Sequence, residues 1–289
     1  MFRIVLKERW PRFLALVRGT YRAGELMMKT IARVVTSLLA AAMAVPPVAR
    51  AQSDEIQVYD GGLAPTGVFN LTWHNNYTPD GVKTSPFPGA VVADRSWNGV
   101  LEWAYGVSRW FELGLYLPLY SWDHATGWGL DGGKLRTLFA VPNADERRFF
   151  YGVNFEFSYN AKRWDTKRLT SEIRPIIGWH LQPVDLIINP IFDTSYEGLN
   201  NLEFVPSTRV AYNVSKSWAI AAEEHADYGP VRRFFPGASQ AHQLYAVVDH
   251  TNRSLDVEAG VGFGLTDATD RLTFKLILSH DFNTPRAKP

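Results

Sequence analysis

Between residues 66 and 282, apolar and polar side chains alternate in runs of about ten residues bounded by turn formers, with no helical spacing of the apolar positions. Phe149 to Asn160 shows the pattern best. Phe149, Tyr151, Val153, Phe155, Phe157 and Tyr159 fall on one face; Gly152, Asn154, Glu156, Ser158 and Asn160 fall on the other. The alternation predicts twelve strands, at 67–77, 97–107, 111–122, 134–142, 148–160, 170–181, 184–194, 201–213, 217–228, 241–250, 255–265 and 271–282. The connections alternate in length. The longer ones are 78–96, 123–133, 161–169, 195–200, 229–240 and 266–270. An even strand count with alternating loop lengths predicts an all-β transmembrane antiparallel up-and-down β-barrel, most simply of twelve strands, with its short turns in the periplasm. Pro118, Pro175, Pro190 and Pro206 fall inside these runs and predict bulges or bends, because each lacks a ladder donor.

A soluble β-sandwich would alternate too, but its polar face would meet water and carry many lysines. Here the polar faces carry Gly, Ser, Asn, Glu and Asp, while Trp and Tyr sit near strand ends on the apolar faces, as an aromatic girdle requires. Ten Trp, 12 Tyr and 17 Phe supply that girdle, and the absence of Cys removes disulfides, thiolate metal sites and thiol nucleophiles.

The formal charge of +1 conceals a segregation. Residues 1–51 hold nine Lys/Arg against Glu8 and Glu25; residues 52–289 hold 21 basic and 27 acidic residues, a net of −6. That balance argues against a nucleic-acid partner. From Met27 the chain reads as a secretory signal: Lys29 and Arg33, an apolar stretch from Val34 to Val45, Pro46-Pro47, then Ala49-Arg50-Ala51 as cleavage motif. The stretch is too short to cross about 30 Å of hydrocarbon. The expected organisation is an over-long reading frame or basic extension at 1–26, the signal at 27–51, a periplasmic segment at 52–65, the barrel at 66–282 and a periplasmic tail at 283–289. Detection of Phe2 to Arg22 in the precursor by mass spectrometry would refute the over-long frame.

The last run, Leu272 to Phe282, alternates and ends on Phe282, which resembles the C-terminal signal read by the barrel-assembly machinery of Gram-negative bacteria; seven residues follow it here. Two further stretches, Trp103 to Leu119 (WAYGVSRWFELGLYLPL) and Gly260 to Asp270 (GVGFGLTDATD) followed by Lys275, resemble the outer-membrane family named after the meta-pathway of phenol degradation. The resemblance implies a barrel in the outer membrane, bordered by lipid and lipopolysaccharide, that takes up or passes small organic molecules.

No nucleophile motif, phosphate loop or metal-ligand spacing is present, so no cofactor is expected. Gly260, Gly262 and Gly264 recur every second residue with no helix following, unlike a dinucleotide fingerprint. Ser279 and His280 are adjacent and point to opposite faces, so they cannot form a hydrolase pair. By strand parity the lumen receives Glu102, Glu112, Glu156, Glu172, Asp185, Asp193, Glu203, Glu223, Asp256, Glu258 and Asp281 against Arg136, Arg174, Arg209 and Lys275. These charges either pair to hold shape or line a wet, cation-preferring pore. A hairpin centred on Asp165 would set Glu156 opposite Arg174; Glu258 and Lys275 would be neighbours; Asp193 and Glu203 would face each other, solvated or on Ca²⁺. Glu102, Glu112 and Asp256 would remain unpaired. The sequence supports a passive channel for small molecules or cations; the alternatives are an outer-membrane lipid-modifying enzyme and a structural barrel with a closed lumen.

Overall fold

The computed structural model describes residues 54–252 and 254–284. The expected leader at 1–51, and the tail beyond Thr284, lie outside the described residues. Fourteen β-segments follow one another: β1 (Phe69–Asp80), β2 (Ser96–Ser108), β3 (Phe111–Asp123), β4 (Gly127–Ala140), β5 (Phe149–Asn160), β6 (Leu169–His180), β7 (Val184–Asn189), β8 (Phe192–Thr194), β9 (Glu203–Phe204), β10 (Ser207–Asn213), β11 (Trp218–Asp227), β12 (Ala241–His250), β13 (Asp256–Gly264) and β14 (Leu272–Asp281). β7 with β8, and β9 with β10, are each one barrel strand interrupted once, so the wall has the twelve strands expected. Every strand pairs antiparallel with its chain neighbours, and β1 closes the wall against β14 with Trp73 opposite Leu278.

The outer surface is that of a membrane-spanning barrel. Leu113, Leu115, Leu135, Val210, Ile220, Leu244 and Phe274 are exposed on it at mid-height. Tyr77, Trp97, Trp122, Trp128 and Tyr159 ring the long-loop end; Phe69, Trp110, Phe149, Tyr151 and Trp218 ring the short-turn end. The Tyr and Trp rings belong at those two levels, where one edge meets hydrocarbon and the other meets water. One outward carboxylate, Glu224, lies near the long-loop end, where His242 Nδ1 hydrogen-bonds it at 3.0 Å.

The expected long connection at 123–133 is instead a tight turn. Asp123 accepts hydrogen bonds from Ala125 N (2.7 Å), Thr126 N (2.9 Å) and the Thr126 hydroxyl, and Gly127 takes a φ of 70°. β4 then runs on through Trp128 and Leu130 outside and Asp131 inside, which the glycines of this stretch disguise as a loop in the sequence.

Pro118 sits at a bulge between β2, β3 and β4. The other three prolines fall in one row. Ile177 pairs with Ile188 and Ile173 with Phe192, so Pro175 lies opposite Pro190; Ser207 pairs with Asn189 and Phe204 with Phe192, so Pro206 also lies opposite Pro190. Three adjacent strands thus lack a backbone donor at one level, and the ladder opens there while register is kept on both sides. Pro175 itself does not break β6, which stays paired to β5 through Val153.

Candidate functional site

The lumen contains the chain's own N-terminal segment. It enters at the short-turn end, where Gly67 N donates to Gly106 O at 2.7 Å. Gly106 is glycine because a Cβ there would lie 2.3 Å from the carbonyl oxygens of Ala64 and Pro65. From there residues 64 to 54 rise through the barrel, with Asp54, Glu55, Ile56, Val58 and Tyr59 buried.

Wall side chains hold this segment at each step. Glu112 accepts from Ala64 N at 2.5 Å. Asn189 clamps the Tyr59 backbone at two points, its Oδ1 accepting from Tyr59 N at 2.7 Å and its Nδ2 donating to Tyr59 O at 3.0 Å. Arg174 donates to Gln57 O at 3.2 Å and ion-pairs with Glu55 at 3.4 Å. Lys275 donates to Ile56 O at 3.1 Å, and Lys134 pairs with Asp54 at 2.8 Å. Val58 and Tyr59 pack in one cluster with Leu138, Phe150, Ile176 and Ile187, larger than the apolar clusters around Tyr245 and Tyr116 elsewhere on the inner wall. Gly178 makes room for that patch, since a Cβ there would strike the Phe150 ring at 2.0 Å.

Two chambers that share no lining residue lie along the segment. The chamber toward the long loops, about 490 Å³, is lined by Lys134, Glu156, Glu172, Arg174, Asp193 and Glu203 among others, nine carboxylates against three bases in all. The chamber toward the short turns, about 430 Å³, is lined by Glu102, Glu112, Arg136, Arg209, Asp256 and Glu258 among others, seven carboxylates against two bases. The long-loop end is roofed by residues 81–95, whose Ala90, Val91, Val92 and Asp94 are buried. Val91 N donates to Arg163 O at 3.0 Å, and Val82 N to Asp270 Oδ1 at 2.7 Å.

The inward charges form networks rather than isolated groups. Arg136 joins Glu102 (2.7 Å) to Glu112, and His74 Nε2 contacts Glu102 at 3.1 Å. Arg209 joins Glu223, Asp249 and Glu258, and Lys275 reaches Glu223 at 2.5 Å and Glu258 at 2.6 Å. Glu102 and Glu112 are therefore paired, against expectation, because the β2–β3–β4 register brings Arg136 between them; Asp256 accepts from Asn252 N at 3.0 Å. Glu156 does not face Arg174. It lies opposite Glu172, while Arg174 lies opposite Asn154. The hairpin centres on Trp164 rather than Asp165, and one residue in the centre moves each partner by two without changing its face. Arg174 instead takes Glu172, at 2.6 and 3.0 Å, and Glu156 takes Lys134 at 3.2 Å. Asp193 and Glu203 do face each other.

Sequence reasoning passed over Lys134 and Asp249, although each shares strand parity with an inward neighbour, Arg136 and Val247. Asp54 and Glu55 left no such signal, since nothing local says that their segment turns into the barrel. A lipid-modifying site would need a hydroxyl on a His ring; among the described residues His242 is held by Glu224 and Gln240, and His280 by Ser254 O.

No protein-family model matches the chain, and no curated protein matches it. Among solved structures it is similar to the COG4313 outer membrane channel from Pseudomonas putida F1, at 12% identity and a TM-score of 0.53, over 79% of this chain and 100% of that one. The NanC porin is more distant, at 8% identity and a TM-score of 0.49, over 74% of this chain and all of that one. At these identities the likeness is one of fold.

Proposed function

We propose that the protein is an outer-membrane channel for small organic molecules or cations, held closed by its own N-terminal segment. The observation that carries this reading is a lipid-facing barrel whose polar lumen holds chambers of about 490 and 430 Å³ on either side of a single short stretch of chain. A barrel built only as scaffold has no need of two acidic chambers in line. The likeness in fold to an outer membrane channel, and the resemblance of Trp103 to Leu119 and Gly260 to Asp270 to the family associated with phenol degradation, support the same role. On this reading the short turns lie in the periplasm, lipid and lipopolysaccharide surround the girdles, Phe282 serves as the signal for the assembly machinery, and the solute is the partner in the lumen.

The test is conductance in planar bilayers. The mature protein should conduct weakly, and a variant lacking residues 54–63 should conduct several-fold more. Under a KCl gradient the reversal potential should show cation preference, which falls as salt screens the lumen. Absence of conductance from the folded deletion variant would overturn the channel, and anion selectivity would overturn the acidic-pore reading.

A further inference from the structure

The contacts that hold Tyr59 make a recognition site for a particular chemistry. Tyr59 belongs to one buried cluster with Leu138, Ile176 and Ile187, and the Arg174 guanidinium lies 4.3 Å and the Arg136 guanidinium 5.6 Å from its ring centroid. Its hydroxyl meets the Tyr116 hydroxyl at 2.5 Å. Its backbone is read separately, because Asn189 takes both the N–H and the C=O of the same residue, as the two-point clamp above describes. Asn189 is fully buried, and it, Tyr116, Arg136 and Arg174 all belong to the barrel wall, so the site persists when the segment leaves.

Each contact selects. The guanidiniums favour a π face over an aliphatic chain of equal size. Both are already paired with wall carboxylates, Arg136 with Glu102 and Glu112 and Arg174 with Glu172, so the site suits a neutral ring rather than an anion. The asparagine requires an amide with a free N–H beside a free C=O, and leaves a buried amide unpaired when the ligand lacks one. The largest of the buried apolar clusters among the described residues surrounds Tyr59, and it marks the level at which this selection operates.

We propose that this site binds small N-acylated aromatic amino acid amides or short peptides bearing an aromatic side chain, and that Tyr59 occupies it as an internal competitor whose displacement unplugs the lumen. The proposal rests on the channel reading and gives it a solute class. A tethered segment competes at an effective concentration of roughly millimolar. A free ligand therefore opens the wild-type barrel only at concentrations of that order, whereas a barrel without the plug shows the site's own affinity.

The probe is N-acetyl-tyrosinamide, with N-acetyl-leucinamide as the control lacking a ring, measured by saturation-transfer NMR and by conductance. The variant lacking residues 54–63 should bind the tyrosinamide saturably, about ten-fold more tightly than wild type does. It should prefer the tyrosinamide over the leucinamide by about ten-fold, and Asn189→Ala in the same background should remove most of that binding. The tyrosinamide, and not the leucinamide, should raise wild-type conductance. If the deletion variant conducts but does not distinguish the two amides, or if Asn189→Ala binds equally well, the proposal falls while the channel stands. If the folded deletion variant does not conduct, the channel reading itself has failed. Should the deletion variant not fold, the wild-type titration decides: a ring-dependent rise supports the proposal, and none at tens of millimolar overturns it.

Discussion

Arg174 shows how one side chain carries several obligations at once. It holds Glu172 from two nitrogens, pairs with Glu55, donates to the Gln57 carbonyl and stands over the Tyr59 ring. Its side chain is 6% exposed. Removing one partner of a buried network leaves the others charged and unsatisfied, at a cost of about 3–5 kcal/mol. Arg174→Ala should therefore lower the urea midpoint of unfolding, followed by the heat-modifiable gel shift, and should raise conductance by loosening residues 54–59. An unchanged midpoint and conductance would show that water compensates these groups. Arg163 illustrates the same economy outside the lumen: it bonds Thr126 Oγ1 and Gly127 O at 2.8 Å each while its carbonyl receives Val91 N.

Among the elements, the 81–95 loop is the one whose docking should depend on pH. Val82 N donates to Asp270, a carboxyl pushed up to about 6 by burial first, with Asp94 and Asp80 adding repulsion against that hydrogen bond. Asp94 moves the other way: its burial is outweighed by the hydrogen bond from Gly81 N and by Arg95. A raised carboxyl favours the docked loop when protonated. Asp270's contribution is thus full below the ordinary carboxylate pKa of about 4 and is lost as pH rises through about 6. Amide exchange at Val82 and tryptic cleavage at Lys83 should be slower at pH 5 than at pH 7.5, after correction for intrinsic rates. Asp270→Asn should flatten that dependence; a wild type equally protected at both values would sink this account. The proline row is a second device at this scale, a level where three strands keep register with fewer ladder bonds.

At the scale of the whole molecule, closure depends on joining the two ends of the chain. Phe282 N donates to Phe69 O at 2.9 Å, Phe69 N to Asn283 Oδ1 at 2.7 Å, and Asn283 Nδ2 to Gly67 O at 2.9 Å. Asn283 is therefore a clasp at the point where the plug becomes strand β1, not the start of an idle tail. Truncation after Asn283 should leave the folded yield unchanged, while truncation before it should lower the yield. Phe282→Ala should lower it as well, if the assembly machinery reads that ring. The yield of heat-modifiable barrel in outer-membrane fractions checks all three, and a full yield from Phe282→Ala would move the signal elsewhere.

The period-two pattern by itself determined the wall. Phe149 to Asn160, or Leu272 to Phe282, can bury one face and wet the other only as a strand, and strand parity then sends Glu156 and Lys275 inward. Register was legible where a short loop has an obvious centre, as at Gly198 between Asp193 and Glu203. It was missed by two residues at Glu156 and Arg174, because a one-residue error in a loop's centre is invisible to the alternation. The plug lay beyond local patterning altogether. Residues 54–65 have no periodicity, and Asp54, Glu55, Ile56 and Tyr59 acquire their partners only when β3, β4, β6, β7 and β14 curve around them. Closure of the barrel brings Lys134, Arg174, Asn189 and Lys275 to one axis, and contacts between residues 80 to 219 positions apart are decided by that curvature, not by any neighbour in the chain.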